Sequence, residues 1–352
     1  RIYPRKKIRK DSFIALSKMS GCFYGNGGYG NECEVIDFLQ KEMTGQAMKT
    51  GKESVFSITI SGVGKRSMPF IRQSSSLVIG NAEACDEGEA EKLIDAMDGH
   101  ADWIMLDKSC RILRDSCLDG KIARSHKGWY SEENVVRLAC CSTLVQAEIP
   151  GRVVVLGDKA EADVVVSMLR ECGIDAVAAD PGKEDPIAVL VSMLRNESSQ
   201  PGIGALLSID HRNAGFLDQR YLQYLHKDAA VYFAKPNACP ESFRRAALMA
   251  EYRLCRIDCR AALGAELRLA IDTARTIKAR GTATIDGIPV AAGGLIGLRG
   301  SIVVDSSKSP SRILGVADGS GGLLTPAEEH PYKESKNKVA RFLIRNLYEQ
   351  RY

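Results

Sequence analysis

The stretch GRVVVLGDKAEADVVVSMLRECGIDAVAADPG, residues 151–182, constrains this chain more than any other. A short β-branched run, RVVVL, leads into a glycine turn. KAEADVVVSMLREC then carries apolar residues at helical spacing, and DAVAAD returns to strand character. A strand, a helix and a second strand in that order make a crossover unit with two parallel strands. The turn Gly157-Asp158-Lys159-Ala160-Glu161-Ala162 falls on the six positions of the G-x-G-x-x-G dinucleotide fingerprint. Gly157 supplies the tight turn, and Ala162 is small enough for close packing of helix on strand. Lys159 stands where a glycine would let backbone approach a pyrophosphate, and its side chain is expected to crowd that group. Asp158 and Glu161 add negative charge at a helix N-terminus that would otherwise welcome an anion. Asp180 closes the second strand near the offset at which an acid bonds a ribose diol. Together Gly157, Asp158, Lys159 and Asp180 point to an adenosine-bearing cofactor. NAD is one candidate; S-adenosylmethionine is the other, since its ribose contact needs no pyrophosphate and its cation suits Asp158. The plainer alternative is that Asp180 only caps the turn after its strand.

Beyond residue 182 the alternation continues through GALLSIDH, AAVYFAKP, PESFRRAALMAE and YRLCRID, then the long amphipathic ALGAELRLAIDTARTIKARG. Strands this uniformly apolar have no wet face, which argues a parallel sheet covered by helices on both sides. The expected architecture is α/β and two-domain, with a Rossmann-like parallel sheet in the second domain. Residues 1–50 form a basic arm and helices, and 51–131 an α/β substrate-type domain with the strand-like SVFSITI, SSSLVIG and ADWIMLD. SEENVVRLACCSTLVQAEIPG, residues 131–151, has a serine cap and acidic first turn, and 132–150 reads as a bridging helix. The Rossmann-like domain spans 151–281. A small β appendage follows over 282–324, where Asp286-Gly287 signals a hairpin, and an amphipathic C-terminal helix over 325–352.

With 352 residues, 45% of them apolar, the chain can bury a large core. A net charge of +4 says little about acidic partners, although RIYPRKKIRK at the start leaves nucleic acid open beside the plainer solvated arm. Eleven cysteines without regular spacing suit a reducing, cytoplasmic setting. No run is long and apolar enough to span a bilayer, so no membrane partner is expected. The expected partner is a small-molecule substrate, with self-association possible through the C-terminal helix. Paired Cys or His spacings for a metal are missing, and so are the Ser-His-Asp order and G-x-S-x-G elbow of hydrolases.

Several segments resemble the dehydrogenase family of pyrrolysine biosynthesis, over roughly residues 54–270. They are ITISGVGKRSMPF, ADWIMLDKSCRILRDSCLDGKIA, the helix leading into RVVVLG, and YRLCRIDCRAALGAEL. The resemblance implies a two-domain Rossmann enzyme that passes hydride to NAD from an amine-bearing carbon of an amino-acid-derived substrate. It also implies an acid near LDKSC, where this chain has Asp107, one position displaced from the family's aspartate. A Rossmann group that methylates a pyridinol during assembly of the iron-guanylylpyridinol cofactor shares the general build.

Substrate groups of such folds meet at the carboxyl ends of strands. In the first domain these are Ser61, Lys65 and Arg66, suited to a carboxylate, followed by Asp107 and Lys108. In the second they are Asp210, His211, Asn237 and Asp258. Asp107 and His211 are the candidate proton acceptors, and Asp210 could orient the imidazole. Three functions remain open from sequence: an NAD-dependent oxidoreductase, an S-adenosylmethionine-dependent methyltransferase, and a cofactor-free subunit or scaffold that kept the fold.

Overall fold

The computed structural model describes residues 32–60, 69–108, 110, 122–182, 185, 187–188, 191, 202–209, 217–234, 239–280, 283–292, 297–306 and 308–349. Two compact units emerge: residues 1–129 together with 271–352, and residues 130–270.

The first unit opens with α1 (Glu32–Thr50), β1 (Glu53–Ile60), β2 (Phe70–Gln73), β3 (Leu77–Ala84), α2 (Glu87–Met97), β4 (Trp103–Asp107) and β5 (His126–Tyr130). These strands form one sheet in the order β2-β3-β1-β4-β5. Central β1 pairs in parallel with β3 and β4, and β2 runs antiparallel along the outside of β3. Six consecutive residues of β1 are buried, as expected of a strand covered on both faces. Helix α2 starts because the Asp86 side chain accepts the Glu89 N–H, and Glu87 and Glu89 sit at its positive end. Its residues Ala90, Leu93, Ile94 and Met97 make one apolar stripe facing the core that also holds Met43, Phe56 and Ile104. Just past the helix, the buried Asp98 carboxylate accepts the backbone N–H groups of Ala123, Arg124 and Ser125, which pins the segment entering β5.

The second unit contains α3 (Glu132–Val145), β6 (Arg152–Leu156), α4 (Lys159–Glu171), β7 (Ala176–Ala179), β8 (Ile203–Ser208), β9 (Leu225–Phe233), α5 (Glu241–Met249), β10 (Arg253–Arg256) and the start of α6 (Arg260–Arg280). All five strands are parallel, in the order β10-β9-β8-β6-β7. Counted within the unit the order is 2-1-3-4-5, a doubly wound sheet whose connections reverse direction between β6 and β8. The strand ends lie level: Leu156 pairs with Ala179 and Ser208, Ser208 with Phe233, and Phe233 with Arg256. Ser131 caps α3 by accepting the Asn134 N–H. In α4 the buried Ala162, Val165, Val166 and Leu169 follow a three-four spacing. The helix stops at Gly173, whose φ of +80° lets the Ile174 N–H return to the Leu169 carbonyl.

The rest of the first unit is a four-stranded sheet, β11 (Ala283–Ile285), β12 (Ile288–Ala292), β13 (Ile302–Val304) and β14 (Ile313–Val316), in chain order. Asp286 and Gly287 have φ of 50° and 74°, the left-handed pair a two-residue hairpin between β11 and β12 needs. Helix α7 (Lys333–Glu349) lays Val339 and Leu343 on Val290, Ile302, Val304 and Val316 of this sheet. At about 1.5–3 kcal/mol for each fully buried aliphatic side chain, this contact favours the helix docking on its own chain.

Candidate functional site

In doubly wound sheets ligands settle outside the carboxyl ends of the strands where the winding reverses, here after β6 and β8. The two strand ends approach closely. The Ile209 N–H donates to the Leu156 carbonyl at 3.0 Å. A methyl group on Gly157 would lie 2.6 Å from Ile209 Cγ1, so the glycine is needed for contact between neighbouring strand ends. Ala162 is fully buried, which keeps its expected role in helix–strand packing.

Lys159 behaves differently from the sequence expectation. Its side chain is 61% exposed and reaches along α4 toward Asp163, 3.9 Å away, so it does not crowd the turn. Two aspartates occupy the turn instead. Asp158 caps α4 by accepting the Ala160 N–H at 3.0 Å, and Asp180 Oδ2 accepts the Lys159 N–H at 3.2 Å. Asp180 Oδ1 also accepts the Gly182 N–H at 3.0 Å, and the residue is only 5% exposed. Asp180 therefore caps its own turn and also holds the fingerprint turn through the Lys159 N–H. For a nucleotide the fit is divided. An acid beside the glycine turn suits a ribose, whereas two N–H groups that could meet a pyrophosphate are engaged by carboxylates.

A second cluster lies at the end of β4 in the first unit. Asp107 is buried as the last residue of the strand, and its carbonyl accepts the Cys110 N–H at 2.9 Å. Lys108 Nζ donates to Asp318 Oδ2 at 2.9 Å. Asp318 is 8% exposed and also accepts from the Ser320 N–H, the Ser320 hydroxyl and the Gly322 N–H. Burial pushes its carboxyl up, but the Lys108 charge and these donors outweigh burial and hold the pKa down at about 2. Sequence reasoning placed Lys108 among substrate groups and passed over Asp318. The available signal was the turn Asp318-Gly-Ser-Gly-Gly, whose Gly319 and Gly321 both take positive φ.

Asp258 is placed as an exposed acid at the start of α6, accepting the Arg260 N–H at 3.0 Å and its guanidinium at 2.8 Å. Ser61, Lys65, Arg66, Asp210, His211 and Asn237 lie outside the described residues. Cys140 and Cys141 are buried in α3, where burial pushes both thiols up, that of Cys141 to about 11. Among the described residues no group of three His, Cys, Asp or Glu side chains is placed to hold a metal, and no helix is long and apolar enough to cross a membrane.

These features define the class: a mixed α/β protein of two units, the second a Rossmann-like parallel sheet. No known family matches the chain, nor does any curated protein. Among solved structures it is similar to the NAD-dependent malic enzyme of Thermotoga maritima, at 14% identity over 73% of this chain and 76% of that one, with a TM-score of 0.31. A second similar structure is the Trypanosoma brucei methylenetetrahydrofolate dehydrogenase-cyclohydrolase complexed with NADP, at 13% identity, 64% and 86% coverage and a TM-score of 0.31. A third is an extracellular ligand-binding receptor of Rhodopseudomonas palustris HaA2, at 13% identity, 58% and 67% coverage and a TM-score of 0.29. At this level of likeness the class rests on the strand order of the chain itself.

Proposed function

We propose that the chain is a Rossmann-type oxidoreductase that takes NAD and oxidises an amine-bearing carbon of an amino-acid-derived substrate. The supporting observation is the 3.2 Å contact from the Lys159 N–H to Asp180 Oδ2, which sets a ribose-type acid on the glycine turn where the winding of a parallel sheet reverses. NAD, when bound, supplies the hydride acceptor. Asp180 would exchange the Lys159 N–H for ribose hydroxyls, and that N–H would then be free to face the pyrophosphate. In the first unit, Lys108 suits a substrate carboxylate and Asp107 a proton. The ion pair with Asp318 fixes the position of the Lys108 ammonium. The amine-bearing substrate is what the resemblance to the pyrrolysine-biosynthesis dehydrogenases implies.

A second reading has its own observation behind it. The Lys159 and Ala160 N–H groups are satisfied by Asp180 and Asp158, so the turn is complete without a ligand. That arrangement suits a cofactor-free subunit. Calorimetric titration with NAD, NADP, S-adenosylmethionine and S-adenosylhomocysteine separates the possibilities. NAD should bind, and Asp180→Asn should weaken it by roughly 1–3 kcal/mol, the scale of a lost hydrogen bond to a charged group. Binding of S-adenosylmethionine alone would move the assignment to methyl transfer, and silence from all four compounds would leave the cofactor-free subunit.

A further inference from the structure

The first residues of β1, β4 and β5 form the opposite edge of the first sheet from the strand end that carries Asp107 and Lys108. A cavity of about 620 Å³ opens there, lined by Lys52, Glu53, Trp103 and His126 and by Arg275 and Lys278 of α6. The carboxylates around it are already used. Glu53 Oε1 accepts the Trp103 indole N–H at 2.6 Å and also the Arg275 guanidinium. Asp102 accepts the Ser54 N–H at 2.7 Å and the Ser54 hydroxyl at 2.8 Å. Arg275 is ion-paired, with Glu53 and at 3.6 Å with Asp272, and the two lysines are less fully used. Lys52 donates to the Ser74 carbonyl, a neutral group, and Lys278 is exposed with no ion pair among the described residues.

The same wall supplies flat surfaces. The Arg275 guanidinium lies 5.7 Å from the Trp103 ring centroid, and the His126 ring packs against Trp103 with centroids 4.9 Å apart and a tilt of 47°. Stacking on indole and the ion pair with Glu53 orient the guanidinium before any ligand arrives. The volume is in the range of small-molecule sites, and a lining made mostly of charged side chains suits a polar, charged ligand.

We propose that this cavity binds a small aromatic anion, its phosphate or carboxylate head held by Lys278 and Arg275 and its ring set against His126. Lys52 adds long-range attraction for the negative charge. The proposal uses no residue of the nucleotide-type turn and stands whether or not the chain takes NAD.

Trp103 and Trp129 are the only two tryptophans, so Trp129→Phe leaves a single fluorophore in the cavity wall. This protein should be titrated with phenyl phosphate, benzoate and inorganic phosphate. Phenyl phosphate or benzoate should change the Trp103 emission saturably, and the tighter of the two identifies the preferred head group. Lys278→Met, at an exposed position that spares the fold, should weaken that ligand about fivefold or more. The proposal fails if neither aromatic anion gives a saturable change, if Lys278→Met binds as tightly as its parent, or if inorganic phosphate binds as tightly as phenyl phosphate.

Discussion

Replacing Lys108 with methionine keeps most of the unbranched stem and removes the charge beside the buried Asp318. In the native protein the Asp318 carboxyl is held at about 2 against an ordinary 3.8. That difference corresponds to roughly 2.5 kcal/mol of stabilisation shared among all its partners. Lys108 is 40% exposed, so solvent screens part of its share, and Ser320 and Gly322 still donate after the substitution. We expect Lys108→Met to cost about 1–2 kcal/mol at pH 7. Because the folded pKa is depressed, the contribution is present above about pH 4 and is lost as pH falls through about 2. The penalty should therefore shrink toward zero at the acid end, where Asp318 is protonated in both proteins. Urea unfolding followed by tryptophan fluorescence suits the measurement, since both tryptophans lie in the first unit. A penalty below about 0.3 kcal/mol at pH 7, or one unchanged between pH 7 and pH 2.5, would refute the account.

Asp98→Ala should cost the first unit about 2–4 kcal/mol, because three consecutive N–H groups lose their acceptor. Burial pushes the Asp98 carboxyl up, but the backbone donors of Ser125, Ala123 and Arg124 prevail and lower it. Its contribution should thus hold above the ordinary carboxylate range and fade below it; thermal melts of Asp98→Ala that match the parent at pH 7 would dismiss the role. Gly157→Ala should cost about 1–3 kcal/mol through overpacking against Ile209. Ile209→Ala, which removes the Cγ1 and Cδ1 atoms in the way, should cost less in the Gly157→Ala background than in the parent in chemical unfolding, and equal costs would mean the crowding lies elsewhere.

Much of the second unit could be read from sequence because its signals are local. The run RVVVL, the stripe Ala162-Val165-Val166-Leu169 and the stop at Gly173 each specify their element within a few residues. Asp286-Gly287 gave the hairpin for the same reason, its two left-handed residues being adjacent. Short strands were harder. FIRQ in β2 and HKGWY in β5 hold too few apolar residues to announce a strand, and both become strands by pairing with the sheet beside them. Strand β9 likewise begins at Leu225, before the apolar run AAVYF, with Lys227 and Asp228 exposed.

The candidate sites were legible in kind and not in detail. Sequence put Asp180 beside the glycine turn, but only geometry shows its carboxylate on the Lys159 N–H and the lysine side chain turned out along α4. Asp318 could not be paired with Lys108 in advance, since 210 positions separate them. Arg275 and Trp103 meet for the same kind of reason, through a fold that brings a late helix to an early strand.

The first unit is discontinuous in the chain, completed only by residues 271–352, whereas residues 130–270 follow one another without interruption. During synthesis the first sheet, whose core lies within residues 36–129, and the uninterrupted unit can both form before the last part of the first unit exists. What comes last is the four-stranded sheet and α7, whose core is drawn from residues beyond 282. Until residues beyond 270 leave the ribosome, Asp318, Arg275 and the Val339–Leu343 face do not exist for their partners to meet. A released fragment ending near residue 280 should therefore keep a protease-resistant core spanning 130–270.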